Sequence, residues 1–166
     1  MTDALPPDSA AFRAAMRHFV GNVTVITVGA GTERSGLVVT TGISLSADPP
    51  LFLACINRNS SSWPLLARFG AFGANSLAAH QQEVADRFSG AAGVHGAARY
   101  AGAEWHSAVT GAPLLGGAAV RLDCTVEEMI DRATHSILIG RVRAIETTPG
   151  AGALIYWDGA YRSLAG

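Results

Sequence analysis

The sequence predicts a mainly β protein, a closed antiparallel barrel with a few short flanking helices. Six or seven segments rich in β-branched residues follow one another with few helical segments between them, which disfavours a doubly wound sheet. Residues 118–127 alternate apolar and polar side chains, as a strand with one buried face does. The 166 residues suit one domain, so we expect a single domain over 1–166 with residues 1–8 as a disordered tail.

The first predicted element is an amphipathic helix over residues 9–20. Asp8 or Ser9 can cap its N-terminus, and Gly21 ends it. Four apolar residues recur at helical spacing on one face, namely Phe12, Met16, Phe19 and Val20.

The next elements are predicted strands. Residues 22–29 and 35–41 form a hairpin around a glycine-rich turn, and residues 51–56 form a short buried strand. Residues 43–50 are polar and end in two prolines, so we interpret them as a connection.

The middle of the chain mixes helices with a long irregular stretch. Ser62 can cap a short helix that ends near Phe69, residues 71–77 predict a strand, and residues 80–88 predict another helix. Residues 89–117 contain many Gly and Ala with little periodicity. We interpret them as a long surface excursion.

Strands complete the chain. The strand over residues 118–127 places Arg121 and Asp123 on its polar face, opposite Ala118, Val120, Leu122, Cys124 and Val126. Residues 135–146 and 153–164 predict the remaining strands, with a hairpin turn at Asp158 and Gly159.

Composition narrows the classes of function. The formal net charge is −1, from 12 Lys and Arg against 13 Asp and Glu, and the basic residues are scattered, so nothing favours nucleic-acid binding. Only 15% of residues are charged and 49% are hydrophobic, which favours a homodimer that covers apolar surface. Cys55 and Cys124 lie in apolar stretches, typical of free thiols, and no membrane-targeting segment is evident. We expect a cytoplasmic protein.

Common catalytic and cofactor motifs are missing from the sequence. It has no Gly-x-Gly-x-x-Gly fingerprint, no Walker loop, no Gly-x-Ser-x-Gly elbow and no Cys or His pair at zinc spacing, so we expect no metal. The residues alone leave a small barrel with one polar loop, 57–62, rich in Ser and Asn. Taken by itself, such a loop is more often a capped turn than a ligand site.

A series of short segments stands in order along residues 11–164. Among them are Phe12-Arg13, Asn22-Val23-Thr24-Val25, Ser44-Leu45-Ser46, Asp48-Pro49-Pro50-Leu51, Ala85-Asp86-Arg87-Phe88, His135-x-Ile137-x-Ile139-Gly140 and Tyr156-Trp157-x-Gly159. This series resembles the flavin reductase family, whose FMN-binding fold is an antiparallel Greek-key split β-barrel. Members of that family are small reductase components that supply reduced flavin to two-component flavin-dependent monooxygenases.

The resemblance implies where a flavin, FMN or FAD, would bind. Backbone groups of residues 38–41 would meet the polar edge of the isoalloxazine ring, and loop 57–62 would meet the phosphate with hydroxyl and N–H donors. The family's flavin contacts correspond here to Val38, Val39, Thr40, Thr41, Cys55, Ile56, Asn57, Ser60, Ser61, Ser62, Arg87 and Phe88.

Three departures from the family pattern bear on these contacts. The family often has Ser or Thr where Val38 and Val39 stand, so only backbone contacts remain there. It commonly has Arg or Lys where Ser61 stands, so the phosphate charge would need Arg58 or Arg87.

The resemblance also implies a nicotinamide pocket for NADH or NADPH as co-substrate. His135 corresponds to the histidine of a Gly-Asp-His motif that lines this pocket, although Ala133 and Thr134 precede it here and the Asp is missing. Tyr161 and Arg162 in the last hairpin are further candidates for nucleotide binding.

The implied activity is NAD(P)H:flavin oxidoreduction. Hydride would pass directly between the two cofactors, so no protein residue is expected to act as a catalytic nucleophile. Two alternatives stay open at this point: a non-catalytic flavin-binding electron carrier or sensor of the same fold, and an interaction module without flavin whose serine loop is only a cap.

Overall fold

One sheet of seven antiparallel strands forms the body of the protein. A computed structural model describes residues 8–91 and 93–166, so the expected tail lies almost wholly outside the described residues. In spatial order the sheet contains β3 (Ser35–Val39), β2 (Thr24–Val28), β6 (Ala71–Ser76), β9 (Val120–Arg132), β10 (His135–Thr147), β5 (Pro50–Asn57) and β4 (Ile43–Ala47).

The sheet closes into an incomplete barrel. Its two edge strands, β3 and β4, are joined by residues 40–42 alone. Such a short connection requires the sheet to curl so that its first and last strands come close together. β3 comes close to β5 on that side, but the two strands do not pair. β5 pairs with β10 and not with its sequence neighbour β6, as in a Greek key. The predicted mainly β, antiparallel split barrel is confirmed.

Smaller elements surround the barrel. A second sheet contains β1 (Gly21–Asn22), β11 (Ala153–Trp157) and β12 (Ala160–Leu164), and a separate hairpin contains β7 (Trp105–Ser107) and β8 (Pro113–Leu115). The helices are α1 (Ser9–Met16), α2 (Trp63–Phe69) and α3 (Gln82–Ser89), with single 3₁₀ turns at Gly31–Glu33 and Gly96–Tyr100. Within the described ranges, none of these helices has the length and apolarity that crossing a bilayer requires.

Two apolar clusters share strand β2. Ile26 and Val28 belong to the cluster that contains Phe72, and Val25 belongs to a second cluster that contains Phe88. Because successive side chains of a strand point to opposite faces, β2 contributes to both clusters and is buried throughout. This explains its unbroken β-branched run.

Helix α1 is shorter than predicted. Asp8 caps it as expected, since its Oδ1 accepts a hydrogen bond from the Ala11 N–H at 2.7 Å. The helix ends at Met16 and not at Val20, because the next N–H groups bond to carbonyls three residues back in a tighter turn. The apolar face from Phe12 to Val20 is exposed.

The interpretation of residues 43–50 as a connection was wrong. Residues Ile43–Ala47 form the edge strand β4, which pairs with β5 across a turn at Asp48 and Pro49. The missed signal is the alternation of Ile43 and Leu45 with serines, which an exposed edge strand tolerates.

The excursion over residues 89–117 carries more structure than predicted. It contains the 3₁₀ turn at Gly96–Tyr100 and the β7–β8 hairpin, which contacts β6 and β9. The strand expected over 118–127 is Val120–Arg132, and the first part of its polar face is not solvated, since Arg121 and Asp123 are buried. Asp123 accepts hydrogen bonds from the Thr110 N–H at 2.7 Å and from the Thr110 hydroxyl, which shows that the excursion covers this face.

The final hairpin is as predicted. Asp158 and Gly159 both have positive φ, +50° and +78°, as a two-residue type I′ turn requires.

Candidate functional site

The opening of the barrel forms a cleft between β3 and β5. β4 pairs with β5 only as far as Leu53, so the rest of β5 has no strand partner on that side among residues 8–91 and 93–166. The Cys55 N–H donates instead to the Thr41 hydroxyl at 2.9 Å. Each strand pairs with a neighbouring strand on one edge only there, so the backbone N–H and C=O groups of the other edge are not engaged in strand pairing and face the opening.

This first cleft has a volume of about 340 Å³. Most of the side chains expected around a flavin ring line it together with His135: Val38, Val39, Thr40, Thr41, Cys55 and Asn57. Ile56 does not line it, since its side chain is fully buried in the barrel core. Ile56 can therefore contribute only backbone groups here.

A second cleft of about 460 Å³ adjoins the first and shares Leu37, Val38 and Asn57 with it. Its other lining residues are mostly polar: Asn59, Ser60, Ser61, Phe88, Ser89, His95 and Arg99. A cleft of mixed polarity between two strand edges thus continues into a cleft that contains the hydroxyl, amide and guanidinium groups of the serine loop and Arg99.

Residues 57–62, the serine loop, hold their shape through local hydrogen bonds. The Ser60 N–H donates to the Asn57 carbonyl at 3.0 Å, and the Ser62 N–H donates to the Ser60 hydroxyl at 3.2 Å. Ser60 and Ser61 line the second cleft, whereas Ser62 is fully buried and its hydroxyl bonds to that of Ser35 at 3.0 Å. Ser62 precedes α2 as predicted, but its side chain does not cap the helix because it is engaged by Ser35.

Arg99 lines the second cleft together with Ser60 and Ser61. Its Nε donates to the Val94 carbonyl at 2.9 Å and its Nη1 donates to the Gly36 carbonyl. Burial lowers the pKa of this guanidinium, which nevertheless stays protonated near neutral pH because arginine is so strongly basic. Arg99 and His95 were missed because they lie in the aperiodic excursion, where nothing in the sequence marks which residues turn inward.

The two arginines expected to supply charge point elsewhere. Arg58 makes an ion pair with Asp131 at 3.3 Å, outside both clefts. Arg87 donates to the carbonyls of Ala98 at 3.0 Å and Arg99 at 3.3 Å, and lines a different cleft. Arg87 thereby holds the turn that carries Arg99.

Phe88 is a core residue whose ring also borders the second cleft. It is 1% exposed and packs edge-on against Tyr100, with ring centroids 5.1 Å apart, and against Trp105 at 5.6 Å. Its ring also lies where a Cβ at position 36 would stand, so Gly36 allows α3 to pack on β3.

On the other side of the first cleft, His135 opens β10 directly opposite Asn57 of β5. It is exposed, and its Nδ1 lies 2.8 Å from the Thr134 hydroxyl. The fold therefore brings His135 into the first cleft with six of the expected flavin residues, whereas Arg87 lies in a different cleft.

Tyr161 and Arg162 lie apart from His135. Both belong to β12 of the smaller sheet, and neither is among the described residues that line the two clefts. Tyr161 packs against Tyr156, with centroids 5.3 Å apart, and burial raises the pKa of its hydroxyl.

Comparison with known proteins agrees with this geometry. The family model described as flavin reductase like domain matches residues 16–165. A relative named FMN reductase (NADH) RutF 2, from Methylorubrum extorquens strain PA1, is 38% identical over 94% of this chain and 90% of its own length.

Two solved structures are similar along their whole length. BorF, the flavin reductase component of a bacterial two-component tryptophan halogenase, is 32% identical with a TM-score of 0.87, covering 96% of this chain and 99% of its own. The Streptomyces globisporus C-1027 NADH:FAD oxidoreductase SgcE6, in complex with NAD and FAD fragments, is 27% identical with a TM-score of 0.85, covering 97% and 96%. The chain belongs to the flavin reductase family.

Proposed function

We propose that this protein is an NADH:flavin oxidoreductase that reduces FMN or FAD. The observation that carries the proposal is the pair of adjoining clefts at the barrel opening, one between β3 and β5 and the other lined by the serine loop and Arg99. Family membership supports the same activity.

The residues present suit a flavin. Each cleft is within the range of about 300–1,000 Å³ that is usual for small-molecule sites. Val38, Cys55 and the backbone of residues 38–41 would hold the isoalloxazine ring. Ser60, Ser61 and the charged Arg99 would hold the phosphate, with His95 beside them.

Bound flavin would supply the hydride acceptor itself, so the protein's contribution is positional. The hydrogen bond from Cys55 to Thr41 fixes the wall of the first cleft. His135 lines the same cleft with an exposed ring, and in this proposal that ring would contact the nicotinamide.

FMN with NADH is the pair we favour. The relative that is 38% identical is named for FMN and NADH, whereas SgcE6 is named for NADH and FAD. Use of NADPH has no support from these relatives.

The proposal also covers the partner enzyme, the oligomeric state and the cellular compartment. BorF is one half of a two-component system, which supports delivery of reduced flavin to a flavin-dependent monooxygenase or a related flavin enzyme. The exposed apolar face of α1 supports a homodimer, and two free cysteines support a reducing, cytoplasmic setting.

NADH oxidation with and without added FMN or FAD tests the activity, and His135→Ala tests the site. We expect oxidation to depend on added flavin.

Because His135 would contact the nicotinamide, we expect the His135→Ala variant to raise the KM for NADH by about tenfold, the value of one good hydrogen bond, and to leave the KM for FMN nearly unchanged. An unchanged KM for NADH would remove His135 from the pocket.

A further inference from the structure

Arg58 connects the serine loop to the hairpin that carries His135. It follows Asn57 in the serine loop, yet its contacts reach the hairpin tip, residues 131–135, that connects β9 to β10. The Arg58 N–H donates to the Thr134 carbonyl at 3.0 Å, Nη1 donates to the Ala133 carbonyl at 3.5 Å, and Nη2 pairs with the Asp131 carboxylate at 3.3 Å.

A second set of contacts connects the same loop and hairpin through Trp63, Ser136 and Asp131. The Trp63 indole N–H donates to the Ser136 hydroxyl at 2.8 Å, and that hydroxyl donates to Asp131 at 2.6 Å. The guanidinium of Arg58 lies over the Trp63 ring, 5.6 Å from its centroid. The Asp131 carboxylate therefore binds both Arg58 and Ser136. We call the side chains that connect the serine loop to the hairpin the Arg58 clamp; they are Arg58, Trp63, Asp131 and Ser136.

The hairpin tip has a backbone conformation that needs such support. Ala133 has φ of +48°, a left-handed conformation that costs free energy for any residue with a Cβ. Conformations of this kind persist where surrounding contacts determine them, and here the Ala133 and Thr134 carbonyls are both bonded by Arg58.

His135 is the next residue after these two carbonyls. It pairs with Asn57 across the strands, and Arg58 is the neighbour of Asn57. We propose that Arg58 is a positioning residue, which sets the place of His135 over the first cleft relative to the serine loop. The proposal rests on the proposed function, since it assumes that His135 contacts nicotinamide.

Arg58 can be tested without unfolding the protein. The side chains of Arg58 and Asp131 are 42% and 48% exposed, and ion pairs of that exposure contribute little to stability. Arg58→Met keeps an apolar stem over Trp63 and the backbone N–H that bonds the Thr134 carbonyl, and it removes only the guanidinium donors to Ala133 and Asp131. The serine loop keeps its own hydrogen bonds, so FMN affinity serves as a check on folding.

The experiment is a double-mutant cycle of Arg58→Met and His135→Ala, read out as the KM for NADH and the Kd for FMN. We expect Arg58→Met alone to raise the KM for NADH by about threefold to tenfold, with the Kd for FMN changed less than about twofold. In the His135→Ala background the same substitution should add less than about twofold, because its effect passes through His135. Arg58→Lys should restore part of the loss, and Arg143→Met on β10 is the matched control.

Each other outcome overturns the proposal. If His135→Ala leaves the KM for NADH unchanged, the nicotinamide role of His135 fails and the clamp fails with it. If His135→Ala acts but Arg58→Met does not, only the clamp is wrong. If both act and their effects multiply, or if Arg58→Met also weakens FMN binding, Arg58 contacts a ligand or shapes the flavin site and is not a positioning residue for His135.

Discussion

Two adjacent residues of the serine loop, Ser61 and Ser62, have different roles, one at the cleft and one in the core. Ser61 is exposed and lines the second cleft, with its hydroxyl 3.4 Å from that of Ser35, whereas Ser62 is fully buried with its hydroxyl 3.0 Å from that of Ser35. A hydrogen bond to a charged phosphate contributes more than one between neutral hydroxyls, whereas loss of a buried hydroxyl pair costs stability.

We therefore predict opposite effects for their alanine variants. Ser61→Ala should weaken FMN binding by about tenfold and leave riboflavin binding unchanged, since riboflavin has no phosphate. Ser62→Ala should lower the free energy of unfolding by about 1–2 kcal/mol, because it leaves Ser35 short of its closest partner. Fluorescence titration and urea unfolding measure the two quantities.

Equal losses of FMN and riboflavin affinity in Ser61→Ala would contradict the phosphate assignment. A Ser62→Ala variant as stable as wild type would show that the buried hydroxyl pair is dispensable.

The sequence could identify the serine loop as a candidate phosphate site, but it could not show which of its serines face the cleft and which are buried. Composition and resemblance identified Ser60, Ser61 and Ser62 as one group. Their division depends on the burial of Ser62 against Ser35, which is 27 residues away from Ser62 in the chain. Arg99 likewise depends on how a turn without periodicity folds back on β3, which no local pattern encodes.

At the scale of elements, the β7–β8 hairpin is attached to the barrel partly by charge. Glu146 of β10 accepts hydrogen bonds from His106 of β7 at 3.0 Å and from Arg121 of β9 at 2.9 Å. The hydrogen bond with His106 is the main cause that lowers the pKa of Glu146 below its ordinary 4.5, and attraction to His106 and Arg121 adds to it.

This lowered pKa predicts a pH dependence of stability. A carboxyl group with a depressed folded pKa stabilises the fold above its unfolded pKa and loses that effect as pH falls through the folded value. Glu146→Gln should therefore be less stable than wild type above pH 4.5, and the difference should shrink below it. The difference should be small because the side chain is 35% exposed.

Urea unfolding over a pH series measures this difference, with Glu128→Gln on an exposed part of β9 as the matched control. A difference that stays constant or grows as the solution becomes acidic would contradict the role given to the ionised carboxylate.

Element prediction succeeded where one periodicity dominated. The strands around residues 22–29, 71–77 and 135–146 and the turn at Asp158 and Gly159 followed from β-branched runs and turn chemistry. β4 failed because its serines resemble a loop, and the excursion failed because its structure is fixed by long-range contacts such as Thr110 with Asp123.

For the whole molecule, the exposed apolar surface predicts self-association. Phe12, Phe19 and Val20 are 59%, 68% and 63% exposed, on one chain with few charged residues. We expect sedimentation at micromolar concentration to give a dimer. Phe19→Glu should shift the equilibrium toward monomer because it places a charge in the apolar face, and Gln82→Glu on α3 is the control.

A wild-type protein that sediments as a monomer would contradict the expected homodimer. A Phe19→Glu variant that remains dimeric would exclude the α1 face from the contact.

The split in the barrel is the feature of the whole molecule that matters most for function, and it is the least visible in the sequence. The residues alone predicted a closed barrel, since they do not reveal that β3 and β5 approach without pairing. The resemblance supplied the split, and the structure gives its physical basis: β4 pairs with only part of β5.

The most direct test is the visible absorbance of FMN bound to the protein when NADH is added without oxygen. The account predicts that FMN binds and that NADH bleaches it within the time of turnover, because one face of the ring stays open to the nicotinamide. Failure to bind FMN would contradict the cleft assignment, and bound FMN that NADH leaves unbleached would mean that the protein carries flavin without reducing it.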